Sequence, residues 1–106
     1  ESMKVAIIVQ ESIKMIEEKL NTSINMQSLA YSRLLTHIKY MLARIRTNEK
    51  LNLDMDEYVQ THFPLAYETA ETILIKIGSQ LHHTIPRIEI GYLGLHIQRI
   101  CDIAKE

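Results

Sequence analysis

Apolar residues recur along the chain at intervals of three and four, the spacing of one face of an α-helix. The first such stripe predicts a helix from about Met3 to Leu20, and the second predicts a helix that begins at Asn25 or Ser28 and ends in basic residues near Arg46. No segment shows the sustained period-two alternation of a half-buried strand. The pattern therefore favours an all-helical fold.

The two prolines indicate further helices, because proline fits the first turn of a helix. Pro64 is expected to open one helix and Pro86 to open the last, which runs to about Lys105. Asp54 or Asp56 is a candidate cap for a short helix before Pro64. With short connections between them, these elements predict an all-α, compact bundle of about five helices packed as antiparallel pairs.

Length and composition agree with this fold class. The 106 residues, 46% of them hydrophobic, suit one domain with one core, which we assign to residues 3–106 without weight on the two residues before Met3. Polar residues interrupt every apolar run well before the roughly 20 residues of a membrane span. The single cysteine, Cys101, cannot form an internal disulfide, which fits a reducing cytoplasm.

The charge balance bears on the partner. Twelve basic and thirteen acidic residues give a formal net charge of -1, whereas domains that grip nucleic acid usually carry a basic excess or patch. The balance disfavours a helical DNA-binding domain and predicts no direct nucleic-acid contact. A protein partner remains compatible with it.

Two histidines have a setting with a chemical use. At about 100° per residue, His37 lies at the edge of its apolar stripe with Arg33 and Arg44 on the same side, and His96 has Arg99 one turn away. A neutral imidazole nitrogen can attack phosphorus, and arginine stabilises the resulting phosphoryl group. The more frequent alternative is structural: histidines packed at a core edge beside solvated arginines.

Other chemistries fit less well. Zinc needs three or four converging ligands, but His82 and His83 are adjacent in a connector, and Cys101 diverges from His96 around the helix. The same divergence disfavours a Cys–His nucleophile pair. No glycine-rich phosphate loop is present. We therefore expect no metal site, no cofactor and no enzymatic activity.

Three segments resemble the phosphotransferase-system (PTS) regulation domain, a duplicated module of bacterial BglG/SacY-type transcription antiterminators. They are Tyr31–Leu42, which holds His37, the Pro64-containing segment His62–Tyr67, and Glu89–Ile97, which holds His96. Their order and spacing agree with the family, and the resemblance covers nearly the whole chain. The surroundings of His37 are more similar to the second copy of the module, from a glucose-type antiterminator.

The resemblance implies a five-helix bundle that dimerises. It implies that His37 and His96 accept phosphoryl groups from the histidine phosphocarrier protein or a sugar permease, with Arg33, Arg44 and Arg99 as the candidates that stabilise phosphate. The donors supply the transfer machinery, so it implies no catalytic residues. The family's RNA-binding domain is basic and β-rich, and this chain contains no such segment.

The leading interpretation is a phosphorylation-controlled dimerisation module of an antiterminator. The alternative is a helical scaffold or dimerisation domain whose histidines are only packed. Two structural expectations follow. His37 and His96 should approach each other within one subunit or across a dimer interface, since each lies on the border of an apolar stripe. Gly91 and Gly94 indicate a symmetric dimer, because small residues let a second helix come close.

Overall fold

The computed structural model describes residues 2–104, which form five α-helices. They are α1 (Ser2–Leu20), α2 (Leu29–Thr47), α3 (Asp56–His62), α4 (Pro64–Leu81) and α5 (Ile88–Ala104). No strand occurs within this described range, so the all-α prediction is confirmed. The expected end of the last helix at Lys105 lies outside the described residues.

The first residues of the helices agree only in part with the helix caps predicted from the sequence. Ser28 caps α2, and its hydroxyl oxygen accepts a hydrogen bond from the backbone amide of Tyr31 at 3.1 Å. Pro64 opens α4 as predicted. The predicted cap of α3 is wrong, because Met55 holds the N-cap position without a side-chain hydrogen bond. The Asp54 carboxylate instead accepts from the amide just inside the helix, in a local turn.

The last helix, α5, is the centre of the packing. It contacts α2, α3 and α4, while α1 packs mainly on α4. The apolar stripes predicted from the sequence supply this core, whose largest fully buried apolar side chains are Ile16, Leu34, Ile38, Met41, Val59, Ile73, Leu74, Ile77, Leu93 and Ile97. Among the described residues, no helix combines the length and apolar character needed to cross a membrane.

The glycines of α5 allow close packing inside one subunit. A Cβ on Gly91 would lie 2.6 Å from the Cα of Asp56, and one on Gly94 would lie 3.0 Å from a methyl group of Val59. Both glycines are buried against α3 and α4. The expectation that they open a surface for a second copy is therefore wrong, and dimer formation stays a prediction without their support.

Candidate functional site

The imidazoles of His37 and His96 stack on each other where α2 meets α5. Their ring centroids lie 4.6 Å apart and their planes differ by 26°. The prediction that the two rings approach each other is confirmed, and the approach occurs within one subunit. His37 is buried, with 5% of its surface exposed, whereas His96 is half-buried. We call these two residues the histidine pair.

A second polar pair lies on the same interface. Seven residues after His37 on α2 is Arg44, and seven residues before His96 on α5 is Glu89. Arg44 donates from Nε and Nη2 to the two carboxylate oxygens of Glu89, at 2.9 and 2.8 Å. Seven residues are about two helical turns. Because α2 and α5 run antiparallel, a single alignment of the two helices brings His37 beside His96 and Arg44 beside Glu89.

Tyr92 completes the surroundings of the histidine pair. Its ring meets that of His37 edge to face at 4.9 Å and lies 5.6 Å from that of His96. His37 is therefore enclosed by two rings from α5. Within the described structure, His37 Nε2 and His96 Nδ1 are buried without a hydrogen-bond partner. Such unsatisfied buried nitrogens are costly and call for a physical explanation.

The environment keeps both imidazoles neutral. Burial lowers the pKa of His37 to about 3, with further contributions from His96 and Arg44. Burial also lowers the pKa of His96, followed by the positive charges of Arg99 and Arg33. A neutral imidazole retains a nitrogen lone pair. The histidine pair thus has the protonation state that a nucleophile requires near neutral pH.

A groove of about 400 Å³ opens beside the histidine pair. We call it the acceptor groove, and its lining residues are Ser32, Arg33, Thr36, His37, Tyr40, Arg44, Leu51, Tyr92 and His96. Of the three arginines named from the sequence, Arg33 lines the groove and is exposed, and Arg44 lines it but is bound to Glu89. Arg99 is exposed and influences His96 electrostatically without lining the groove.

Sequence reasoning missed the roles of Glu89 and Tyr92. Both lie in the segment Glu89–Ile97 that carries His96, but the sequence pattern alone assigns no role to either of them. Glu89 stands between Ile88 and Ile90 in an apolar helix. A charge in such a position needs a counterion, and that signal could have indicated the pair with Arg44.

The remaining histidines lie away from this site. His62 is exposed and its ring contacts Tyr58 at 4.5 Å, and His82 and His83 are exposed at the end of α4. Within residues 2–104, no cluster of three or more His, Cys, Asp or Glu side chains is arranged to hold a metal ion.

Comparison of the sequence with known proteins identifies its family. The PRD domain model matches residues 10–100. The chain belongs to the PRD domain family. The predicted resemblance to the PTS regulation domains is thereby confirmed, and this PRD domain is a regulatory module.

Curated relatives agree with the family match. Proteins named GlcT from Staphylococcus aureus strains JH9, Newman and NCTC 8325 / PS 47 are each 34% identical to this PRD domain over 92 residues. The alignment covers 85% of this chain and 32% of each relative. This PRD domain thus spans about a third of the length of the curated relatives that it matches.

Proposed function

We propose that this PRD domain is a phosphorylation-controlled regulatory module whose histidine pair accepts phosphoryl groups from PTS proteins. The proposed donor is the histidine phosphocarrier protein or a sugar permease. In this proposal the domain belongs to a transcription antiterminator and acts in the cytoplasm. The observation that carries the proposal is the stack of two neutral imidazoles beside an arginine-lined groove. Such a setting suits a nucleophile better than an inert core position.

The chemistry is a direct transfer between imidazoles. A lone pair on the acceptor ring attacks the phosphorus of a phosphohistidine on the donor. The new N–P bond forms as the donor's N–P bond breaks, and the acceptor ring loses one proton while the departing ring gains one. In this proposal, Arg33 and Arg99, which are both exposed and both lower the pKa of His96, stabilise the added negative charge through charge-assisted hydrogen bonds.

Burial sets an order for the two acceptors. His96 is half-buried and can meet a donor while the rings remain stacked, whereas His37 is 5% exposed and must first separate from His96. Two phosphoryl groups on rings 4.6 Å apart would repel each other strongly. One modification therefore hinders or repositions the other.

The regulatory output follows from this conflict. A dianionic group at the α2–α5 interface favours a changed packing of these helices, which shifts a dimer equilibrium. A bias of about 1–3 kcal/mol is typical of regulatory coupling. The near-zero net charge supports a protein partner and a second copy of the chain, and disfavours direct contact with nucleic acid.

The test is phosphorylation with purified components. The domain is incubated with phosphoenolpyruvate, the general PTS enzyme and the phosphocarrier protein, and separately with a phosphorylated permease, and its intact mass is measured before and after mild acid. The proposal expects one or two acid-labile phosphoryl groups. Absence of label from both donors would contradict it.

The competing function is a scaffold or dimerisation domain without phosphorylation. The near-complete burial of His37 between Tyr92 and His96 favours it, because such a ring also serves as packing. The two proposals separate in sedimentation. The scaffold dimerises equally well with and without the donor mixture, whereas the switch changes its dimer fraction when it is phosphorylated.

A further inference from the structure

The α2–α5 interface holds a charged pair that the proposed transfer does not use. Arg44 and Glu89, here called the register pair, form a two-pronged ion pair that joins the two helices. Glu89 is 1% exposed and the Arg44 side chain is 18% exposed. A carboxylate so deeply buried cannot exchange its partner for water without a large cost.

The rest of this interface fixes the helix alignment only weakly. Apart from His37 and the register pair, the large buried side chains of α2 and α5 are aliphatic or thioether groups, such as Leu34, Ile38 and Met41 on α2 and Leu93 and Ile97 on α5. Apolar contact is non-directional, and such side chains are readily exchanged for one another in a core. A bidentate arginine–carboxylate pair is directional, and specifying register is the best-attested use of buried ionic groups.

The spacing links the register pair to the histidine pair. Each partner of one pair lies seven residues from the corresponding partner of the other, in opposite chain directions. A shift of α5 by one residue along α2 separates both pairs at once. Tyr92 lies between Glu89 and His96 on α5 and packs on His37, so it moves with them.

We propose that the register pair holds His37 stacked on His96, which makes Glu89 a positioning residue for the acceptor site. The acceptor role of the stack rests on the proposed function, whereas the positioning itself does not. The pair keeps His37 covered until the helices separate. It thereby slows modification of His37 relative to that of His96.

The test removes both charges together, because a lone buried charge could unfold the domain. The variant is Arg44→Met with Glu89→Gln. Its readouts are the nuclear Overhauser effect between the two imidazole rings and the rate at which diethyl pyrocarbonate acylates His37. We expect the ring-to-ring effect to weaken and the acylation of His37 to rise about tenfold, as local opening becomes easier.

The matched control removes a second hydrogen-bonded ion pair between residues far apart in sequence. Arg87 donates from Nε to Asp56 at 3.1 Å, away from the acceptor groove. Arg87→Met with Asp56→Asn should leave both readouts unchanged. If the main variant loses its helical circular dichroism, Glu89→Asp is measured instead, because it keeps the charge and shortens the reach. The same direction of change is expected there, with a smaller size.

The outcomes separate this inference from the proposed function. A folded register-pair variant with an unchanged ring-to-ring effect and unchanged His37 acylation would overturn the positioning role, even if the wild-type domain is phosphorylated. A weakened stack in a domain that no PTS donor labels would support the positioning role and contradict the proposed function.

Discussion

Two regions of the molecule each bring two histidines together, by different means. At the α2–α5 interface, His37 and His96 are far apart in sequence and stack at 4.6 Å under cover of Tyr92. At the end of α4, His82 and His83 are neighbours in sequence, and both are exposed. Two histidines that are neighbours in sequence thus share no buried environment here, whereas two histidines on packed helices do.

The difference lies in what each region does with the imidazole. Packing between two helices removes water from the histidine pair and lowers its pKa values. In the connector between α4 and α5, residues 82–87, the backbone of the two histidines ends the helix. His82 follows α4 in a left-handed conformation with φ of 56°, and the amide of His83 donates to the carbonyl oxygen of Gly78 at 3.0 Å. We therefore expect effects on phosphorylation and on the pH dependence of stability from the first region, and effects on stability at constant pH from the second.

The largest expected effect is the complete loss of phosphorylation when the histidine pair is removed. His37→Ala combined with His96→Ala should abolish acid-labile label, because both acceptor nitrogens are gone. Each single variant should retain the label on the other histidine. The measurement is intact mass after incubation with the donor mixture.

The connector provides the control for this experiment. His82→Ala combined with His83→Ala should leave the label unchanged, since neither ring contacts the acceptor groove. Label that survives loss of the histidine pair and appears on His62, His82 or His83 would show that the site is wrongly assigned.

The second effect is a loss of stability in acid that is specific to the histidine pair. The folded-state pKa of His37, about 3, lies below the ordinary value of 6.5, so the unfolded chain binds more protons below that value. The stability that depends on neutral His37 is therefore fully present above pH 6.5, and it is lost as the pH falls from 6.5 towards 3. The loss is about 1.4 kcal/mol per pH unit, or about 3 kcal/mol at pH 4, with His96 acting in the same direction.

Urea unfolding at pH 7 and pH 4 measures this loss. His37→Leu should reduce the difference between the two pH values relative to the wild type, because the titrating group is absent from both states. His83→Ala, which removes an exposed imidazole, should keep the wild-type difference. An equal pH dependence in wild type and His37→Leu would refute the linkage to His37.

Much of the α2–α5 site could be predicted from the sequence because helices repeat regularly. The apolar spacing assigns each side chain to a face, so the positions of His37 and His96 at stripe edges were readable. That the two stripe edges face each other follows only from the packing of α2 against α5, which the sequence pattern of a single helix does not contain. The structure shows the approach of the two rings, whereas their role as acceptors stays a prediction.

What could not be predicted depends on alignment between distant helices. Arg44 was assigned to phosphate because its helix face is visible in the sequence, but its actual partner, Glu89, lies on another helix. The role of Gly91 was misjudged for the same reason. Its close approach to Asp56 is a property of how α5 lies on α3, which a single helix pattern does not contain.

The third prediction concerns the backbone of the connector. A Cβ on Gly78 would lie 2.7 Å from the carbonyl oxygen of His83, so Gly78→Ala pushes the connector away from α4. We expect the free energy of unfolding to fall by about 1–2 kcal/mol, although alanine is about 1 kcal/mol the better helix former. Thermal unfolding measures it, with the exposed Ser79→Ala as the control that should not destabilise. If the Gly78→Ala variant were more stable than the wild type, the connector would move away from α4 at little cost in free energy.

The smallest effect is a gain in stability at His82. A left-handed backbone costs a residue with a Cβ about 1–2 kcal/mol, whereas glycine adopts it freely but loses more entropy on folding. The corresponding residues after α1 and α2 are Asn21 and Asn48, with φ of 50° and 59°, and asparagine is a common residue in this role. His82→Gly should therefore stabilise the domain by about 0.5 kcal/mol.

The neighbouring histidine makes this last prediction specific. His83 is also exposed but has a negative φ, so His83→Gly relieves no backbone strain and should lower stability through the entropy of the unfolded chain. Calorimetry on the two variants should give melting temperatures that move in opposite directions, while phosphorylation of the histidine pair stays at the wild-type level in both. If His82→Gly instead destabilised the domain or reduced the label, the His82 side chain would have a role beyond ending a helix, and the contrast between the two histidine regions would fail.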